Sequence, residues 1–165
     1  MDTIDTIMKN IVNLRIHIAP VGFEIDRIII PATSQKADKV WLIAHDNVSE
    51  DKAVKYREKI EKELEQNGIK TEVAYANRLR LFPIIKTVTD IILKERKNDV
   101  YVNVASGSKI HAIGCMMACM MFDDREKIHP FYAQAEKYPE YDGTLQQTYG
   151  VAEVYPPVSY THLTL

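Results

Sequence analysis

The apolar positions of this chain fall into two alternating kinds of run. Short stretches rich in Val, Ile, Leu and aromatic residues occur at residues 14–22 (LRIHIAPVG), 39–45 (KVWLIAH), 70–76 (KTEVAYA), 99–105 (DVYVNVA) and 128–136 (IHPFYAQAE). Such runs, bounded by Gly, Pro, Asn or Asp, read as strands, and the nearly continuous ones as strands buried on both faces. Between them the apolar residues recur at helical spacing. Residues 23–34 place Ile25, Ile28 and Ile29 on one face. Residues 49–67 carry Ser49 as the predicted cap, lysine and glutamate at i,i+4 spacing, and Asn67-Gly68 as the stop. Residues 81–97 have Pro83 in the first turn, where proline is tolerated. Residues 109–122 form the fourth predicted helix. A sixth strand is predicted over 146–155, with PEYDGT (139–144) as a hairpin turn before it.

Strand and helix alternate four times before two strands finish the chain. Parallel strands need helical crossovers and hairpins do not, so the pattern predicts a mostly parallel α/β sheet with an antiparallel end. In the doubly wound order 3-2-1-4-5 the chain reverses between strands one and four. Ligands of such sheets sit outside the carboxyl ends of the strands at that switch point. Two loops are expected to meet there: APVGFEID (19–26) and ASGSKI (105–110).

The chain has 165 residues, 46% hydrophobic and 27% charged, which fits one ordinary globular domain. Its net charge of −2 gives no global basic field, so any anion site is local. Cys115 and Cys119 lie four apart in an apolar run and read as reduced thiols of a cytoplasmic protein. No stretch reaches the roughly 18 uncharged apolar residues of a membrane span. Residues 1–13 read as an N-terminal extension interrupted by Asp2, Asp5 and Lys9, and residues 14–157 as the folded domain. The tail 158–165 (VSYTHLTL) has no periodicity, resembles translated adapter read-through, and is set aside as non-native.

The turn Ser106-Gly107-Ser108-Lys109 is the candidate site. It joins a strand to a helix, offers two hydroxyls and one lysine, and sits at a helix N-terminus with its partial positive charge. These features suit a phosphate; a plain N-cap with a solvated lysine explains them equally well. The first loop contains Gly22 alone, not the three glycines of a dinucleotide fingerprint, and no Walker A spacing occurs, so NAD and NTP chemistry are disfavoured. Arg78 and Arg80 follow the third strand in ANRLRLF, and Arg27 lies one turn into the first helix, able to face the crevice or pair with Glu24. His45-Asp46-Asn47 reads as turn and capping chemistry. His111, Cys115 and Cys119 share one helix face but spread along about 12 Å, too far to ligate one ion, so no metal is expected. No nucleophile–base pairing is evident.

The helix beginning at Lys109 (IHAIGCMMACMMF after it) is apolar all round. The sheet covers one side, and an isologous dimer through residues 109–122 is expected to cover the other, with a methionine-rich core as the alternative. Such a dimer brings two Lys109 side chains toward one axis.

APVGFEIDR, the strand spacing and NVASGSKIHAIG together resemble the CRISPR-associated Rossmann fold (CARF) domains, closest to an archaeal branch of regulators with a C-terminal winged helix. The similarity runs from about residue 14 to 155. It implies a Rossmann-like three-layer sandwich: a six-stranded, mostly parallel sheet with an antiparallel C-terminal hairpin. It also implies a homodimeric sensor of cyclic tetra- or hexaadenylate in type III CRISPR signalling, with no cofactor. The ligand would lie against Pro20, Val21, Gly22, Phe23, Arg27, Asn77, Arg78, Ser106, Gly107, Ser108 and Lys109. Some relatives cut the ring without metal. Here Lys109 and Ser106 would carry that step, although Pro20-Val21-Gly22-Phe23 lacks the hydroxyl often present. A winged-helix or nuclease effector normally follows such a sensor, and none fits in the residues after the sixth strand, so the expectation is either an effector lost with a truncated C-terminus or a stand-alone sensor or ring nuclease. The alternatives are a stand-alone ring nuclease and a nucleotide-binding regulator outside CRISPR.

Overall fold

The computed structural model describes residues 13–138 and 147–157. Six strands form one sheet in the order β3-β2-β1-β4-β5-β6. They are β1 (Arg15–Pro20), β2 (Lys39–His45), β3 (Lys70–Ala76), β4 (Asp99–Asn103), β5 (Ile128–Gln134) and β6 (Glu153–Tyr155). The first five pair in parallel and β6 runs antiparallel to β5. The crossovers are helices α1 (Asp26–Ser34), α2 (Val54–Gln66), α3 (Leu81–Lys94) and α4 (Lys109–Met120). This is a Rossmann-like α/β sandwich, and the chain reverses between β1 and β4 as the pattern predicts.

The alternation of side chains along the strands divides the core. Ile16, Ile18, Val100 and Val102 face α3 and α4, packing with Ile84, Val88, Cys115 and Cys119. Ala19, Val40 and Leu42 face α1 and α2, packing with Ile25, Ile28, Ile60 and Leu64. Both thiols are free and buried. Burial pushes the Cys119 thiol up to about 12 and Cys115 higher still.

Three elements depart from the sequence reading. Ser49 does not cap α2. Asn47 instead caps a single 3₁₀ turn at Val48–Glu50, taking the Ser49 N–H at 3.2 Å and the Ser49 hydroxyl at 2.7 Å. Helix α2 then starts at Val54 after the Asp51 carboxylate has accepted the Ala53 N–H at 2.9 Å. Helix α1 begins at Asp26, because residues 21–25 are spent on the loop between the sheet and the helix. Strand β6 has three residues, shorter than the predicted run, and before it, among the described residues, an isolated bridge joins Lys137 to Tyr149. The predicted PEYDGT turn, residues 1–12 and the tail lie outside the described residues.

Helix α4 packs on the sheet and also on α3. Gly114 permits the second contact, since a Cβ there would fall 2.7 Å from Ile84 Cγ2. The side facing away keeps Ile113, Met117, Met120 and Met121 exposed, at 43% or more of each residue. Among the described residues no helix is long and apolar enough to cross a membrane.

Candidate functional site

The site is built where β1 and β4 end. The two loops meet backbone to backbone: a Cβ on Gly22 would lie 3.0 Å from Gly107 Cα. Gly107 has φ +77°, and a Cβ on it would stand 2.8 Å from Pro20 Cβ and 2.7 Å from His111 Nδ1. Only glycine fits there.

Asn103, the last residue of β4, sets the shape of the turn. Its Oδ1 accepts the N–H groups of Ala105 at 2.9 Å and Ser106 at 3.1 Å, and its Nδ2 donates to the Arg27 carbonyl at 2.8 Å. That carbonyl is available because Pro31, four residues on and inside α1, has no N–H to reach it. The asparagine thus repairs a gap in one helix while it folds the turn leading into another.

Ser108 is the N-cap of α4. Its hydroxyl accepts the His111 N–H at 3.3 Å, and His111 Nδ1 accepts the Ser108 N–H at 3.0 Å, closing a capping box with histidine in the third helical position. Because Nδ1 is an acceptor, His111 is neutral with its proton on Nε2. Burial, and then the nearby Arg78 and His45, lower its pKa to about 4. The N–H groups of Gly107, Lys109 and Ile110 have no partner among the described residues. They lie at the positive end of α4 beside the exposed Lys109, an arrangement that holds anions. Ser106 sits differently. It is 1% exposed and its Oγ has no partner among the described residues, so its hydroxyl lies beneath the turn.

Lys109 separates two hollows. One, of about 500 Å³, is lined by Gly107, Ser108, Lys109, Arg27, Tyr132 and Tyr138, together with Glu24, Gln147 and Thr148. The other, of about 430 Å³, lies between Ser108-Lys109-Ile110 and Arg78-Leu79. Arg27 both pairs with Glu24 at 3.6 Å and faces the first hollow. Its Nε donates to the Ala133 carbonyl at 2.9 Å and its Nη2 to the Tyr132 hydroxyl at 2.8 Å. Burial raises the Glu24 pKa against the opposing pull of Thr148, whose hydroxyl donates to it, and of Arg27.

The remaining candidates are arranged as follows. Pro20 backs the turn. The Val21 N–H extends the sheet to the Ile43 carbonyl at 2.9 Å, and Phe23 packs on Tyr56 with ring centres 5.2 Å apart, away from the first hollow. Asn77 closes its own turn through the Leu79 N–H at 3.0 Å. The Arg78 N–H donates to the buried His45 at 3.4 Å. Sequence reasoning passed over Asn103, Tyr132, Tyr138, Gln147 and Thr148. Asn103 carried a signal, a polar residue inside a buried strand; the others reach the site from the far end of the chain. Among the described residues no cluster of His, Cys, Asp and Glu is placed to hold a metal ion.

The fold recurs in solved structures. Can2 from Sulfobacillus thermosulfidooxidans, solved with cyclic tetra-adenylate, matches with a TM-score of 0.59 at 14% identity over 75% of this chain and 33% of its own. Enterococcus italicus Csm6, bound to cyclic hexa-2′-fluoro-hexa-dAMP, matches at 0.62 and 11% identity over 78% of this chain and 36% of its own. This chain shares its fold with both. An uncharacterized protein of Methanocaldococcus jannaschii, MJ1513, is 35% identical over 128 residues, which are 74% of this chain and 38% of that protein. The chain therefore spans well under half the length of the curated relative it matches. The family model described as "HFX_2341_N:-like, N-terminal" matches residues 15–138, and the chain belongs to that family.

Proposed function

We propose that this domain is a homodimeric sensor of a cyclic oligoadenylate, coupled in the full-length protein to a regulatory effector. The observation that carries this reading is the turn from Gly107 to Ile110. Three N–H groups without a partner among the described residues lie with Lys109 in one turn at the switch of the sheet, and such a turn suits the phosphate of a nucleotide. The exposed apolar face of α4 supports pairing of two copies, Ile113 and Met117 against their twins, which sets two such turns side by side. A cyclic tetra- or hexanucleotide has the twofold symmetry to engage both. The CARF fold, met in proteins solved with cyclic oligoadenylates, adds weight.

Sensing is favoured over ring cleavage by the state of the hydroxyls. Ser106 Oγ is buried below the turn, and Ser108 Oγ is engaged with His111. Neither is left free to orient a phosphate for in-line attack.

The test is thermal unfolding with cyclic tetra- and hexaadenylate. Ligand at a hundred times its Kd stabilises the folded state by about 2.7 kcal/mol, enough to move Tm by several degrees. Lys109→Ala abolishes the shift while leaving the ligand-free Tm unchanged, because Lys109 is exposed. An unmoved Tm with both rings at high micromolar concentration overturns the proposal.

A further inference from the structure

The 500 Å³ hollow beside Lys109 is more than a phosphate cradle, because its lining combines two chemistries. One part is the N-terminus of α4. Another is aromatic and amide-bearing: Tyr132 and Tyr138 from β5 and the residues after it, and Gln147 from the returning segment. Building on the sensor reading, we infer that this hollow is a nucleobase subsite in which Tyr138 stacks on an adenine and Gln147 reads its edge.

The two tyrosines are not equivalent. The Tyr132 ring is taken, with the Arg27 guanidinium 5.2 Å from its centre and Tyr155 5.6 Å away. Its hydroxyl accepts from Arg27. Tyr138 is 58% exposed, and its hydroxyl accepts from Gln134 Nε2 at 2.7 Å, which fixes the ring's outer end. Arg27 lies 6.0 Å from the ring centre on one side. An anchored ring backed by a guanidinium is a platform for a base, since every base offers a π-face and the cation strengthens the stack.

Stacking alone does not select adenine. Gln147 lines the same hollow with its backbone pinned, its N–H donating to the Phe23 carbonyl at 3.1 Å. A primary amide pairs with adenine in two places, accepting from the 6-amino group and donating to N7. Hypoxanthine carries an oxygen at position 6 and cannot satisfy both at once. With its phosphate on the turn and its base on Tyr138, one nucleotide of the ring would fill the hollow.

The test is calorimetric titration of wild-type protein and the variants Tyr138→Ala, Tyr138→Phe and Gln147→Leu. The ligands are cyclic tetra- and hexaadenylate and the same rings carrying hypoxanthine. Tyr138→Ala is expected to weaken the adenine rings about tenfold or more, and Tyr138→Phe to restore most of the affinity. Wild-type protein is expected to prefer adenine over hypoxanthine by about tenfold, a preference that Gln147→Leu erases. Both side chains are exposed, so the variants should match wild type in ligand-free Tm. If wild type binds the adenine rings and Tyr138→Ala and Gln147→Leu bind them equally well, the base subsite is wrong and the sensor reading stands. If wild type binds no ring, both fall together.

Discussion

The side-chain amide of Asn103 donates to the carbonyl of Arg27 at 2.8 Å, across 76 positions of sequence. This contact couples the end of β4 to the interior of α1, and through Arg27 to the Tyr132 hydroxyl and the Ala133 carbonyl of β5. The candidate turn therefore rests on three elements at once.

Replacing Asn103 with leucine should be costly. The buried Ser106 N–H and the Arg27 carbonyl lose their partner, at about 1–3 kcal/mol for each buried unsatisfied group. Urea unfolding should report a loss of about 3 kcal/mol. Asn103→Asp keeps the acceptor for the turn but sets an oxygen against the Arg27 carbonyl, and should be destabilised as well. A variant within 0.5 kcal/mol of wild type, roughly the range of an ordinary surface change, would remove the turn's assigned support.

Two glycines separate backbone conformation from crowding. Gly68 and Gly107 have nearly the same φ, +74° and +77°, but a Cβ on Gly68 meets nothing within 4 Å. Gly68→Ala should cost only the left-handed penalty, about 1–2 kcal/mol. Gly107→Ala adds overlap with Pro20 and His111, so it should cost clearly more and also abolish any ligand-induced rise in Tm. Equal losses at the two sites would mean that the loops do not meet as closely as described.

The pH profile follows from two neutral imidazoles. Burial holds His17 and His111 at about 4, against an ordinary value of 6.5. Between those values the unfolded chain binds more protons than the folded one, so stability is full above pH 7 and falls as pH drops toward 4. The loss comes to about 3 kcal/mol per histidine at the lower limit. Glu24, its pKa raised by burial, acts in the opposite sense in the acidic part of that window. Urea midpoints should therefore decline steadily from pH 7 to pH 4.5, and His17→Leu should flatten the slope by about half. A flat profile in wild type would contradict the neutral capping box.

Much of this architecture can be read from the chain because burial on both faces leaves a strong mark. VWLIA and VYVNV are nearly continuous apolar runs, and strands of that kind have few places to go other than the middle of a parallel sheet. From strand order the switch point follows, and from it the meeting of the 19–26 and 105–110 loops. Capping is harder to read, since Asn47, Ser49 and Asp51 are all competent and the choice depends on how the chain leaves β2. The tyrosines and Gln147 are invisible for another reason. They reach the hollow from β5 and the return toward β6, and nothing local in IHPFYAQAE marks which rings point to the crevice. Pro31 and Asn103 are a middle case. A proline within a helix and an amide within a buried strand each look like flaws, and only the three-dimensional structure shows that one answers the other.

The contact of Gly22 with Gly107 has a consequence for descent. Neither position can gain a side chain without displacing what faces it: the Gly107 main chain at Gly22, and the Pro20 and His111 side chains at Gly107. The pair should therefore behave as a single heritable character, retained together or abandoned together. A lineage that exchanged one of them would have to shift the residues that face it, and with them the meeting of the two loops at the end of β1 and β4.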